Sequence, residues 1–210
     1  MAAAFTLWTQ PLLASLPGIT SAQVDEKLRH AIREFYLQSR AWRTVLGPFT
    51  ATINTPAVVL TPPALSQVVW VREVWLQEGS IRTRLWPTVE RITEVRSDRP
   101  AYFYFDPPTG TLQLWPTPIA TLTNVLYASV VLTPTDAAAT LPDLSLTHHF
   151  EGILNGAYAR LFAMPNKPWT DPLMATRYGQ LFRRTCMELR AVADAGYTHS
   201  DPPWRFPPFA

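Results

Sequence analysis

The residues with the clearest chemical potential are His148, His149 and Glu151, whose side chains are of types that bind metal ions or transfer protons. Adjacent residues of a helix point about 100° apart, so one metal ion would rarely bind both imidazoles. The spacing also differs from the His-Glu-x-x-His pattern of zinc hydrolases. We therefore interpret the histidine pair as residues near a helix start, with a capping or surface role.

Cys186 is the single cysteine of the chain, so it forms no intramolecular disulfide and is the one candidate for thiol chemistry. Arg183, Arg184 and Arg190 are close to it in sequence and could lower the pKa of its thiol. No Cys/His signature of a thiol enzyme surrounds it. We therefore interpret Cys186 as a small core residue of a helix.

Phosphate-binding and acid–base motifs are also missing from the sequence. Neither G-x-x-x-x-G-K-[ST] nor G-x-G-x-x-G occurs, and with 8 glycines no loop could cradle phosphates. Two carboxylate pairs, Glu90 with Glu94 and Asp25 with Glu26, fall on polar helical faces, where solvated charge is the usual explanation. The sequence therefore predicts a protein that is not an enzyme and that holds no cofactor and no metal ion.

The composition is typical of a chain whose surface is largely covered by partners. Charged residues make up 16% of the 210 residues, against roughly 25% in average soluble domains, while aromatic residues reach 12%. There are 21 prolines and only 8 glycines, so the residues that interrupt helices and strands are mostly ones that stiffen the backbone. The net charge of +2 predicts no nucleic-acid partner, and no apolar stretch approaches the roughly 20 residues of a membrane span.

Three segments have the periodicity of amphipathic helices. Residues 21–42 carry apolar side chains at helical spacing opposite a charged face, and residues 146–164 present one broad apolar stripe. The pair Asp171-Pro172 is typical of a helix start, with aspartate as the cap and proline first inside, and this helix should extend to about Asp194.

Between residues 49 and 132 the chain consists of short β-branched and aromatic runs separated by proline and glycine, which predicts an antiparallel β region. One hairpin joins residues 68–77 to 81–86, and a second joins 101–105 to 111–115. We call their turns the 78–80 tip and the 106–110 tip. The tip residues predicted to face a partner are Glu78, Gly79 and Ser80 in the first and Asp106, Pro107, Pro108 and Gly110 in the second.

The last residues, 197–210, combine four prolines with aromatic side chains. Such a segment is too rich in proline for a helix and too aromatic for an idle solvated end, which predicts an extended arm that docks on a neighbouring molecule. The predicted docking residues are Trp204, Arg205, Phe206 and Phe209.

The predicted fold class is α+β: a helical bundle of about three main helices with an antiparallel β insertion and an extended C-terminal arm. Residues 1–48 and 133–196 would form the helical core, and residues 49–132 a β-rich insertion subdomain that points away from it. Within the insertion, residues 87–95 are predicted to be a short helical crossover and 122–132 a further strand. Residues 197–210 would be the arm.

Residues 28–42 resemble the opening helix of head-to-tail adaptor (connector) proteins of tailed bacteriophages, especially short-tailed ones, in which an Arg-x-Ala-x-x-Glu-Phe helix ends in a tryptophan. Three further stretches are similar to that family in the expected order, residues 112–118, 141–157 and 165–182. The likeness covers roughly residues 15–190.

The resemblance implies a structural virion protein, made in the host bacterial cytoplasm and located at the virion neck. It implies a homo-oligomeric ring, usually of twelve subunits, mounted under the portal protein and presenting a platform to the tail nozzle or tail tube. We expect both the 78–80 tip and the 106–110 tip to face the tail. Genomic DNA would pass through the channel without sequence-specific binding, and no membrane would be involved.

Two other classes of function stay open from the residues alone. One is a small phage-encoded hydrolase, which would need a convergent set of acid, base or nucleophile that the sequence does not display. The other is a DNA-binding packaging module that contacts phosphates through arginines.

Overall fold

The computed structural model describes residues 2–88, 96–142 and 149–195. It contains four helices in this part of the chain, α1 (Thr6–Ser15), α2 (Ser21–Ser39), α3 (Phe150–Phe162) and α4 (Pro172–Asp194). The strands are β1 (Ala2–Ala4), β2 (Arg43–Ala51), β3 (Ala57–Val59), β4 (Ser66–Glu78), β5 (Ile81–Pro87), β6 (Ser97–Asp98), β7 (Tyr102–Asp106), β8 (Thr111–Trp115), β9 (Thr117–Pro118), β10 (Leu122–Pro134) and β11 (Thr140–Pro142).

The three predicted helices are confirmed, and their ends follow local capping chemistry. Thr20 and Gln23 form a capping box at the start of α2. Helix α2 ends at Ser39, earlier than predicted, because Arg40 adopts a left-handed conformation with φ 52° and the chain enters β2. The Asp171 carboxylate accepts hydrogen bonds from the Leu173 and Met174 amides, and Pro172 is the first residue of α4.

The predicted overall architecture, a three-helix bundle with a β insertion, is wrong. A seven-stranded sheet in the order β2-β10-β4-β5-β7-β8-β3 is a major part of the fold, and its end strands β2 and β3 approach each other so that the sheet curls. Both predicted hairpins and the strand at 122–132 are present, but β4 and β10 each span 13 residues and pair with each other from Leu126–Leu76 to Pro134–Ser66. Such non-local pairing leaves no local sequence signal.

Helix α1 is the described helix that the sequence did not predict, and the short strands β1 and β11 were not predicted either. Pro11 lies inside α1, and proline removes a helical hydrogen bond, so the sequence indicated a break. The helix forms because Trp8 and Leu12 are fully buried in the core of the helical layer. Tertiary packing outweighs the local cost of one proline in a helix of 10 residues.

The described residues bury two hydrophobic clusters. One is formed by the helices together with Ala138 and Leu141, and the other lies within the curled sheet. Trp42, between α2 and β2, packs against both. Strands β2 and β10 cross positions 48 and 132, which were the predicted boundaries of the β subdomain, and that division stays a prediction. Of the predicted helical crossover at 87–95, residues 89–95 lie outside the described part.

Two glycines let α3 approach its neighbours closely. A Cβ atom added at Gly152 would lie 2.6 Å from the ring of Phe35 on α2, and one added at Gly156 would lie 2.6 Å from the ring of Phe182 on α4. Real Cβ atoms do not approach so closely, and both rings are buried and have little room to move. The three-helix contact therefore requires glycine at both positions.

We expect Gly156→Ala to lower the free energy of unfolding by about 1–3 kcal/mol, because the added methyl group overpacks the contact with Phe182. Gly179→Ala is the matched control, since its Cβ would meet Ala159 at 3.9 Å, an ordinary contact, and alanine favours the helix. Chemical denaturation of both variants measures the difference. Equal stability of the two variants would contradict the role of Gly156.

Candidate interaction surfaces

His149 lies in the core of the helical layer and not at the predicted surface. It directly precedes α3, as expected, but its ring is 3% exposed and makes no side-chain capping bond. The ring packs against Phe35 and Tyr36, with 3.5 Å between its Nδ1 and the Tyr36 hydroxyl. Aromatic packing therefore accounts for the burial of His149. His148 lies outside the described residues.

Cys186 is a core residue, as predicted from the sequence. It is 1% exposed, and burial raises the pKa of its thiol to about 12, with the negative charge of Glu34 adding to the effect and Arg160 opposing it. A thiol with so high a pKa stays protonated near neutral pH and is a poor nucleophile. Within the described ranges, no group of three or more His, Cys, Asp or Glu side chains could hold a metal ion.

Helix α4 carries five apolar side chains that stay exposed in the described part of the subunit. Of its 23 residues only Phe182, Cys186 and Ala193 are buried. Leu173 is 83% exposed and Met187 72% exposed. Three further apolar side chains on this helix, Met174, Leu181 and Val192, are 37–41% exposed. Exposed apolar side chains repeated along one long helix are typical of a surface that binds another protein.

The two hairpin tips lie at opposite ends of the sheet. The 78–80 tip joins β4 to β5, so β5 starts there and runs away from it. Strand β7 is parallel to β5, so β7 ends, and the 106–110 tip begins, at the other end. There the Leu60 amide donates to the Gly110 carbonyl at 3.1 Å. The structure therefore does not bring the two predicted tips together.

The 106–110 tip borders a groove beside α2. A cleft of about 590 Å³ lies between this tip, Leu37 of α2 and the first residues of β4. It shares Leu37, Gln67 and Val69 with a larger groove of about 870 Å³ that continues along α2. Glu34 in the larger groove accepts hydrogen bonds from Gln38 and from Arg160 of α3. These partners engage both carboxylate oxygens of Glu34, which explains Glu34 as part of a structural contact between α2 and α3.

Arginine–tryptophan contacts cover the outer face of the β4–β5 hairpin, which the sequence interpretation missed. The Arg82 guanidinium lies 3.9 Å from the ring centre of Trp75, and Arg84 lies 5.6 Å from that of Trp86. Glu73 pairs with Arg82 at 3.3 Å and with Arg84 at 3.5 Å. Arg82, Arg84 and Trp86 stand at alternate positions of β5 and were the available signal, since alternate strand residues share one face.

The predicted docking residues of the arm, Trp204, Arg205, Phe206 and Phe209, lie outside the described residues. The last described residue, Ala195, directly follows α4. The arm therefore stays a prediction, and it leaves the described part of the chain at the C-terminal end of α4.

We expect the Cys186 thiol to resist alkylation by iodoacetamide in the native protein at pH 8, because it is buried and protonated. In guanidinium chloride the same thiol should react fully, since unfolding returns its pKa to the ordinary range. Mass spectrometry counts the adducts, with Cys186→Ala as the blank. Rapid alkylation of the folded protein would show that Cys186 is accessible.

None of the described helices is long and apolar enough to cross a membrane. Comparison with curated proteins finds no match to the chain. The model of the SU10 adaptor protein family matches residues 2–205, which is nearly the whole chain and confirms the resemblance to phage head-to-tail adaptors. Membership of that family implies contacts with other head and tail proteins of a phage particle. The chain therefore belongs to the SU10 adaptor protein family and is a structural adaptor protein of a bacteriophage.

Proposed function

We propose that the protein forms a ring at the virion neck, where it joins the portal protein to the tail nozzle or tail tube and continues the DNA channel. The observation that carries this proposal is the uncovered apolar face of α4, on a chain of the adaptor family. A repeated contact between one face of a subunit and a different face of the next generates a closed ring when the rotation between subunits closes. Twelve copies is the number that the resemblance to connectors implies.

The face of α4 is suited to contact between subunits because its apolar side chains alternate with charges along the helix. Arg184 and Glu188 pair at 2.7 Å on the exposed side, close in sequence to Met187. Protein interfaces combine buried apolar side chains with polar groups that remain hydrated at the rim. Burial of Leu173 and Met187 against the next subunit would stabilise the ring.

The separation of the two hairpin tips supports contacts at two levels of the particle. We propose that Glu78, Gly79 and Ser80 face the tail. The 106–110 tip, with Asp106, Pro107, Pro108 and Gly110, lies at the other end of the sheet and beside α2. It would then face a different neighbour from the 78–80 tip, and our earlier expectation that both tips face the tail is replaced by this arrangement.

We also propose that residues 197–210 dock on an adjacent subunit or on the portal. Proline pre-sets an extended shape and lowers the entropy cost of ordering. Trp204, Phe206 and Phe209 would fill pockets of the partner, and Arg205 would pair with an acidic group. A role without catalysis is part of the same proposal, because the Cys186 thiol is held protonated in the core.

We expect the double variant Leu173→Asp, Met187→Asp to remain folded and to lose ring assembly. Each buried apolar side chain contributes about 1.5–3 kcal/mol, so the two changes together weaken subunit association by roughly 100-fold or more. Native mass spectrometry of the purified protein, alone and with portal-bearing heads, reports the assembly state.

The control is Ile53→Asp, which removes a side chain of 44% exposure from the turn between β2 and β3. Normal rings in the α4 double variant would overturn the assignment of this face. Loss of rings in the Ile53 variant alone would instead assign the contact between subunits to the sheet.

Deletion of residues 198–210 should leave a folded subunit, because every residue of the two described hydrophobic clusters precedes the deletion. Attachment to portal-bearing heads should fall, since the docking aromatic residues are gone. Complementation of a phage that lacks the gene measures particle yield. Full yield with the truncated protein would show that the arm is dispensable.

A further inference from the structure

Two arginines contact one carboxylate at the C-terminal end of α4, and two more act on it through their charge. Arg43 donates to Asp194 Oδ1 at 2.6 Å and also to the Ala193 carbonyl, while Arg190 lies 3.7 Å from Asp194 Oδ2. Arg40 and Arg72 are near enough to act on the same carboxylate electrostatically. We call Arg40, Arg43, Arg72 and Arg190 the arginine cluster. Its members come from the α2–β2 turn, β2, β4 and α4.

The arginine cluster carries more positive charge than its surroundings neutralise. Four arginines against one aspartate leave three positive charges, and the C-terminal end of α4 offsets only about half a charge. Among the described residues, neither Arg40 nor Arg72 forms an ion pair with a carboxylate. The positive charge is therefore unbalanced in the described part of the free subunit.

Arg40 is held in place although it has no anionic partner in the described part. Its guanidinium lies 3.4 Å from the ring centre of Trp70, and its carbonyl oxygen accepts a hydrogen bond from Arg43 Nε at 2.9 Å. Burial lowers the pKa of Arg40, and the neighbouring charges of Arg190, Arg43 and Arg72 lower it further, against the opposing charge of Asp194. The group is pre-positioned and is repelled by its neighbours.

A guanidinium stacked on an aromatic ring keeps the N–H groups of its edge available for planar anions. Trp70 itself is 45% exposed, so the stacked pair can be reached from solvent. The cluster also shows what ligand it accepts, because it already binds the carboxylate of Asp194. A second carboxylate near Arg40 and Arg72 would complete the charge balance.

We propose that the arginine cluster is a binding site for a carboxylate-rich segment of a partner protein. The proposal rests on the adaptor role proposed above, since it names the chemistry of one partner of that role. Protein carboxylates are favoured over DNA phosphates because the net charge of the chain is only +2 and Glu188 and Asp194 interrupt the arginines of α4. The partner replaces repulsion among arginines with charge-assisted hydrogen bonds.

Peptide binding to the purified full chain tests this site directly. The probe is a fluorescein-labelled hexaglutamate peptide, with a hexaglutamine peptide as the neutral control and a 20-base-pair duplex DNA as the competing chemistry. We expect hexaglutamate to bind at low salt and Arg72→Gln to weaken that binding about tenfold. Arg177→Gln, an exposed arginine of α4 that has no ion pair in the described part, should leave the affinity unchanged.

Equal affinity of Arg72→Gln and wild type for hexaglutamate would overturn the proposal, as would the absence of hexaglutamate binding. Tighter binding of duplex DNA that depends on Arg72 would overturn it in favour of a nucleic-acid site. Each result is independent of ring assembly, because the probe needs one folded subunit. Failure of the proposed ring would therefore be recognised separately.

A second measurement separates binding from a structural role. Because Arg72 repels Arg40 but attracts the Asp194 carboxylate, the two effects oppose each other, and Arg72→Gln should leave the melting temperature of the isolated protein within about 2 °C of wild type. Arg177→Gln should not change it. A larger drop in the melting temperature for Arg72→Gln would show that Arg72 stabilises the subunit, which would overturn the proposal.

Discussion

Strand β10 pairs with β2 on one side and β4 on the other, and the rest of the molecule is arranged around that double pairing. Its residues Leu126, Ala128, Val130 and Leu132 lie in the sheet core, while Leu132 and Thr133 also bond to the helical layer. The Leu132 amide donates to the Trp42 carbonyl at 2.8 Å, and the Thr133 hydroxyl donates to the Arg33 carbonyl of α2 at 3.4 Å. These bonds and the packing of Trp42 against both clusters join helices to sheet.

The close packing on one side of the helical layer has a consequence for the other side. Gly152 and Gly156 bring α3 against α2 and α4, so that aromatic rings fill the contact and α4 buries a narrow stripe. The outer face of α4 has no partner in the described part of the subunit. The C-terminal end of α4 also meets Arg43 of β2, which gathers charges from distant parts of the chain. Both proposed contact surfaces therefore follow from how α4 is packed.

For the candidate surfaces, the sequence predicted the local structure of individual segments but not how those segments lie relative to one another. The hairpin tips were found from turn chemistry, since glycine and proline have strong local preferences. That the tips lie at opposite ends depends on the parallel pairing of β5 with β7, which no local pattern records. Likewise, His149 was placed near a helix start, but its burial beside Phe35 depends on residues more than 100 positions away in sequence.

The sequence by itself determined the three amphipathic helices, both hairpins, the core position of Cys186 and the family resemblance, because periodicity, capping and turn preference act within a few residues. Only the tertiary structure decided the formation of α1 despite Pro11, the seven-stranded sheet and the arginine cluster. Burial free energy, strand pairing and charge repulsion depend on distances between residues far apart in the chain, and folding alone sets those distances.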